Sequence, residues 1–144
     1  MYCTTCPQNS RVENLYHLFI GCPRASEIWD VIWPSINHLT RNNPFNIQKL
    51  ILNIHSTNLH INIRRMINTI LQITMHRIWI NRNSWEKDHA RIPLNESLAR
   101  IRLAFSRAIR RKFRELSPNK FRERYCHTPH ICDVRNGGLF LNLI

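Results

Sequence analysis

Cys3-Thr4-Thr5-Cys6-Pro7-Gln8-Asn9-Ser10-Arg11-Val12-Glu13-Asn14-Leu15-Tyr16-His17-Leu18-Phe19-Ile20-Gly21-Cys22 places three cysteines and a histidine within twenty residues. The skeleton is Cys-x2-Cys-x10-His-x4-Cys. A zinc ion takes four soft or borderline ligands in a tetrahedron, and a Cys-x2-Cys turn puts two thiolates on one side of it. Ser10 and Glu13 fit a capping box, so a short helix is expected to start there and to present His17 from its last turn. Gly21 fits the left-handed residue that ends such a helix, bringing in Cys22 just beyond it. Glu13 precedes His17 by four residues, one helical turn, and is placed to accept the second imidazole proton and orient the ring. Cys3, Cys6, His17 and Cys22 are therefore expected to hold one structural Zn2+. Four protein ligands leave no open position for water or substrate, so no catalytic role follows. The alternative is a set of unrelated buried thiols.

Helical periodicity runs outward from this segment. Pro23 is suited to open a helix whose stripe is Ala25, Ile28, Trp29, Ile32 and Trp33, with Pro34 expected to end or bend it. A connector is expected at residues 41–45 and a short helix over 47–54. A longer helix over 61–85 carries Ile63, Met66, Ile67, Ile70, Leu71, Thr74 and Ile78 on one face. Pro93 breaks the chain. Asn95 then caps a helix with Leu98, Ile101, Phe105, Ile109, Phe113 and Leu116 inside, stopped by Ser117-Pro118. Beyond Tyr125 the chain is expected to be irregular. The fold class is mainly α: a short zinc knuckle at the N-terminus, a small helical bundle and an irregular tail. The segments are 1–36 (knuckle and first packing helix), 45–117 (basic helical region) and 118–144 (flexible tail).

Charge is the unusual quantity. The 144 residues carry 21 Lys/Arg against 9 acids, a net charge of +12. Residues 61–125 alone hold sixteen basic and five acidic side chains. A concentrated positive field attracts phosphate polyanions. On the helix after Pro93, Arg100, Arg107, Arg111 and Arg114 follow one another at spacings of seven, four and three, with Arg110 beside them, roughly opposite the apolar stripe. A guanidinium donates two bonds at once to a phosphate. Only Glu115 is expected to lie near enough to neutralise any of these arginines. A solvated face, an anionic membrane surface and a calmodulin-type partner are the other readings of such a helix. Arg110–Arg114 also suits a nuclear address. Trp29, Trp33 and Trp79 are expected in the core, while Trp85 is open between core and base stacking.

The pattern Cys3-x2-Cys6, Glu13-x3-His17-Leu18-Phe19-x2-Cys22-Pro23-x-Ala25-x3-Trp29 resembles the reverse transcriptase zinc-binding domain, found in the C-terminal region of non-LTR (LINE-like) retrotransposon proteins. The match covers about residues 3–33. A weaker echo is Trp79-Ile80-Asn81-Arg82-Asn83, similar to a Trp-x2-Arg-Asn helix of that family. The resemblance implies Cys3, Cys6, His17 and Cys22 as zinc ligands and a helical, nucleic-acid-associated remainder. Polymerase chemistry does not carry over. Two-metal nucleotidyl transfer needs clustered carboxylates, and the three aspartates, Asp30, Asp88 and Asp133, are isolated in sequence.

The expectation is thus a truncated or separately encoded module, not an enzyme, that binds zinc and associates with nucleic acid, RNA or single strands above duplex. The alternative is a structural fragment that packed against a polymerase domain. Neither a Ser-His-Asp elbow nor His-Glu-x2-His occurs. No apolar run suits a membrane span or a secretory leader, so a nuclear or cytoplasmic setting is expected. A second group, Cys126-His127-x2-His130-x-Cys132, packs four donors into seven residues. Adjacent Cys126 and His127 strain a single tetrahedron, so only adventitious metal affinity is expected there.

Overall fold

Helical periodicity governs the chain in the computed structural model, which describes residues 3, 6, 14–40, 46–53 and 58–143. A five-residue π-turn, His17–Gly21, leads into α1 (Pro23–Leu39). Then follow α2 (Ile47–Asn53), α3 (Ile61–Asp88), α4 (Leu94–Glu115), α5 (Pro118–Tyr125) and a hairpin of β1 (Cys132–Arg135) and β2 (Gly138–Leu141).

The longest helix, α3, is the centre of the packing. It lies against α1, α4, α5 and the π-turn. Its buried stripe is Met66, Ile67, Ile70, Leu71, Thr74 and Ile78, with Asn62 at the start. His60 caps it, Nδ1 accepting from the Asn62 amide at 3.2 Å. At the other end His89 takes a left-handed conformation (φ 49°). The Ala90 amide then reaches back to the Ser84 carbonyl (3.4 Å), the closing bond of a Schellman-type turn. Ile101, Phe105 and Ile109 of α4 are buried in the same core, and Phe113 and Leu116 pack at its edge.

Pro34 does not end α1. The helix continues to Leu39. Proline removes one amide donor, but Ser35, Ile36 and Leu39 beyond it are buried, and that burial sustains the last turn. Trp29 is buried and Trp33 half-buried. Trp79 corrects the sequence reading: it is 48% exposed, and its ring stacks on His76 (6.1 Å between centroids, 24° between planes). One residue beyond the buried Ile78 is a rotation of about 100°, which carries Trp79 off the core stripe.

The C-terminal stretch, expected to be irregular, contains defined elements. Ser117 and Pro118 stop α4 and also start α5, the Ser117 hydroxyl accepting from the Lys120 amide (3.4 Å). Phe121 is fully buried. It meets Phe113 edge-on (5.0 Å) and stacks on Tyr125 (5.1 Å). β1 and β2 pair antiparallel, Cys132 opposite Leu141 and Arg135 opposite Gly138. Asn136 (φ 50°) and Gly137 (φ 75°) make the turn. Positive φ at both central residues is the type I′ requirement, met by Asn-Gly. Ile131, Cys132 and Leu143 reach the core, and Arg102 Nε of α4 donates to the Leu143 carbonyl at 3.0 Å.

Candidate metal centre

The metal-binding geometry starts at Asn14. Its Oδ1 accepts from the His17 amide (2.7 Å) and its carbonyl from the Leu18 amide (2.8 Å), so a side-chain oxygen satisfies an amide of the first turn, as an N-cap does. The turn then widens. The Cys22 amide donates to the His17 carbonyl at 2.7 Å, five residues back, which closes a π-type ring. His17 and Cys22 are the two ends of that ring. Cys22 itself is extended (φ −70°, ψ 131°), and Pro23 begins α1 directly after it. The Trp29 indole N–H donates to the Phe19 carbonyl at 2.6 Å. A tryptophan two turns into α1 thereby fastens the π-turn to the helix.

Gly21 has a different role from the one expected. It is not in the left-handed region, where Gly137 is the one glycine among the described residues. A Cβ on Gly21 would instead meet Tyr16 Cε1 at 3.2 Å and His17 Nδ1 at 3.6 Å. The missing side chain leaves room for the Tyr16 ring, while the imidazole lies at ordinary contact distance.

Cys3, Cys6, His17 and Cys22 are all buried. Their donor atoms lie within 4.8 Å of one another. Cys6 Sγ is 3.2 Å from His17 Nε2 and 3.9 Å from Cys22 Sγ. Zinc–sulfur bonds of about 2.3 Å at tetrahedral angles put two sulfurs about 3.8 Å apart. The spacing of the donors therefore fits one ion, and three thiols with one imidazole suit a borderline-soft metal. Burial pushes the Cys6 thiol up from 9.0 to about 12, with its hydrogen bond to Cys3 and the charge of Cys22 adding to the effect. Thiolates crowded in a buried site need a cation to ionise together, so a metal held here would displace protons. Glu13, expected to orient His17, lies outside the described residues.

The second donor group does not converge. Among the described residues the N-terminal four are the one cluster of three or more donors close enough to share an ion. Cys126 and Cys132 are hydrogen-bonded to each other, and burial is the main cause raising both thiols. The His127 ring lies against His60 (5.8 Å between centroids) and the His130 ring toward His38 (6.5 Å).

The five arginines singled out on α4 (Arg100, Arg107, Arg110, Arg111 and Arg114) are all exposed. Two of them are paired. Arg111 Nε donates to Glu115 at 2.7 Å, and Lys112 shares that carboxylate at 3.2 Å. Arg100 pairs with Glu96, which corrects the expectation that Glu115 alone could neutralise this face. The spacing is i,i+4 with glutamate first, the favourable order on a helix. Arg110 Nε donates to the Ser106 hydroxyl (3.1 Å). The positive field also extends to α3: the guanidinium of Arg77 is lowered by burial and by the charge of Arg100. Sequence spacing on α4 alone gave no sign of Arg77, because only helix packing brings it within range of the Arg100 charge.

No helix among the described residues is long and apolar enough to cross a membrane. No family model, curated protein or solved structure matches this chain.

Proposed function

We propose that this chain is a zinc-binding, nucleic-acid-associated module of reverse-transcriptase origin that engages RNA or single-stranded nucleic acid and has no polymerase activity of its own. The observation that carries the reading is the convergence of Cys3 Sγ, Cys6 Sγ, His17 Nε2 and Cys22 Sγ to within 4.8 Å of one another in a buried site. Zinc is the ion of choice for a closed three-cysteine, one-histidine set. When bound, it supplies folding energy and not chemistry, since the protein fills every position. The retrotransposon link rests on the sequence skeleton. The π-turn and the Trp29–Phe19 bond give that skeleton a physical reason, because the spaced tryptophan holds the turn carrying two ligands.

Nucleic-acid association rests on the charge of +12 and on the exposed arginines of α4. Fluorescence anisotropy with labelled single-stranded RNA and DNA of equal sequence tests it across about 50 to 200 mM salt. Affinity is expected to fall steeply with salt. Replacing both Arg107 and Arg114 with Ala is expected to reduce the slope of log K against log salt by about 2 if each meets one phosphate. Absence of binding at about 50 mM salt contradicts the reading.

A second reading is a packing module for an adjoining polymerase domain. Leu15 (75% exposed) and Tyr16 (51% exposed) favour it, as apolar surface beside the metal centre. It predicts self-association that Leu15→Ser relieves, with no salt-dependent nucleic-acid binding.

A further inference from the structure

Between the metal centre and the start of α4 lies a cavity of about 210 Å³. Cys3 and Cys22 form one wall, Asn81 and Trp85 of α3 a second, and the connector with Arg91 closes a third side. Three kinds of group meet there. Trp85 offers an aromatic wall, with the Arg24 guanidinium 5.3 Å from its ring centroid. Arg24, Arg82 and Arg91 all line the cavity against one acid, Glu27. Arg82 also reaches Glu86 at 3.4 Å, whereas Arg91 is exposed in the connector. Asn81 donates through Nδ2 to the Ser97 hydroxyl (2.8 Å), while its Oδ1 is buried with no hydrogen-bond partner among the described residues.

An aromatic wall and a cationic rim together match a flat heterocycle that carries an anion. The size sharpens this. The cavity is smaller than the about 300 Å³ at which drug-sized pockets begin, so it admits one ring system and not a stack of them. Base faces and edges are hidden inside a duplex and are available in a single strand, where proteins stack them on aromatic side chains and on arginine planes.

We infer that this cavity holds one unpaired nucleotide of a single-stranded nucleic acid, its base against Trp85 and its phosphate on the Arg91 side of the rim. The inference rests on the nucleic-acid reading above and gives it a location distinct from the arginine face of α4. It also ties nucleotide capture to the metal, because two of the four donor residues form a cavity wall.

The test uses the zinc-loaded full chain with adenosine 5′-monophosphate as probe, titrated by calorimetry, beside adenosine and inorganic phosphate. Saturable binding of the nucleotide is expected, weakened about tenfold or more in Arg91→Glu and in Trp85→Ala and unchanged in Lys120→Glu. Arg91 is exposed on a connector, so its replacement leaves the fold intact if Trp85→Ala does not. Adenosine alone and phosphate alone are each expected to bind more weakly than the nucleotide. No saturable binding, or equal binding by wild type and both cavity variants, overturns the inference. A single-stranded oligonucleotide separates the two levels. If it binds wild type and Arg91→Glu equally well, the cavity assignment falls and the nucleic-acid reading stands. If it fails to bind wild type at low salt, both fall.

Discussion

Two stretches of this chain carry nearly the same donors, and only one assembles them. Cys3, Cys6, His17 and Cys22 point their donor atoms at a common centre. Cys126, His127, His130 and Cys132, denser in sequence, send their imidazoles toward His60 and His38 and keep only the two thiols together. The difference lies in the backbone between the donors. In the first stretch a π-turn sets His17 and Cys22 at the two ends of one hydrogen-bonded ring. In the second, the end of α5 and the turn into β1 place neighbouring donors on diverging sides, and the aromatic and aliphatic residues around them do the packing. One end of the molecule is organised around a candidate ion, the other around Phe121, Ile131 and Leu143.

The largest effect expected from this contrast is on the N-terminal segment. Zinc binding by short zinc-finger peptides is worth about 10–16 kcal/mol at neutral pH. Chelation of the loaded chain, or Cys22→Ala, is expected to lower the thermal midpoint followed by circular dichroism and to expose the segment to protease. An unchanged midpoint after complete metal removal breaks the comparison, since both ends would then depend on packing alone. The next largest effect belongs to the other end. Phe121→Ala is expected to cost about 3–5 kcal/mol, the range for a fully buried phenylalanine. That loss should be the same with and without chelator in denaturant titrations. Dependence on metal would mean that the C-terminal region is coupled to the ion after all.

How much of this was legible differs along the chain for physical reasons. The stripes of α3 and α4 showed directly, because a buried face repeats every three to four residues. The donor set showed because metal geometry restricts spacing. The continuation of α1 through Pro34 did not, since it depends on burial of Ile36 and Leu39 by distant elements. The hairpin does carry a sequence signal, Asn136-Gly137 between Cys132-Asp133-Val134 and Leu139-Phe140-Leu141. As the last residues of the chain, they are instead expected to be irregular. The cavity at Trp85 could not be read at all. Its residues come from four separate segments that only tertiary packing joins.

A smaller effect tests the hairpin turn itself. Gly137 sits at φ +75°, and Gly137→Ala is expected to cost about 1 kcal/mol without altering metal content. A neutral result would mean that the turn adopts another geometry. The smallest expected effect is electrostatic. The Glu115 carboxyl is held below its ordinary value of 4.5, first by its hydrogen bond from Arg111 and then by Lys112. A depressed carboxyl adds to folding above the unfolded-state value, and that contribution disappears as pH falls through the folded one. Both groups are exposed, so Glu115→Gln is expected to change stability only slightly at neutral pH and not at all once the wild-type carboxyl is protonated. A difference between the two proteins that grows on acidification contradicts the pairing.

The most direct measurement is zinc per chain by elemental analysis, on protein purified without a metal-affinity step. The comparison is between wild type, the His17→Ala/Cys22→Ala double variant and the Cys126→Ser/Cys132→Ser double variant. One zinc is expected in the wild type, none in the first variant and one in the second. A folded wild type without zinc, or an ion that survives loss of His17 and Cys22 and disappears with Cys126 and Cys132, contradicts the assignment of the metal centre to the N-terminal segment.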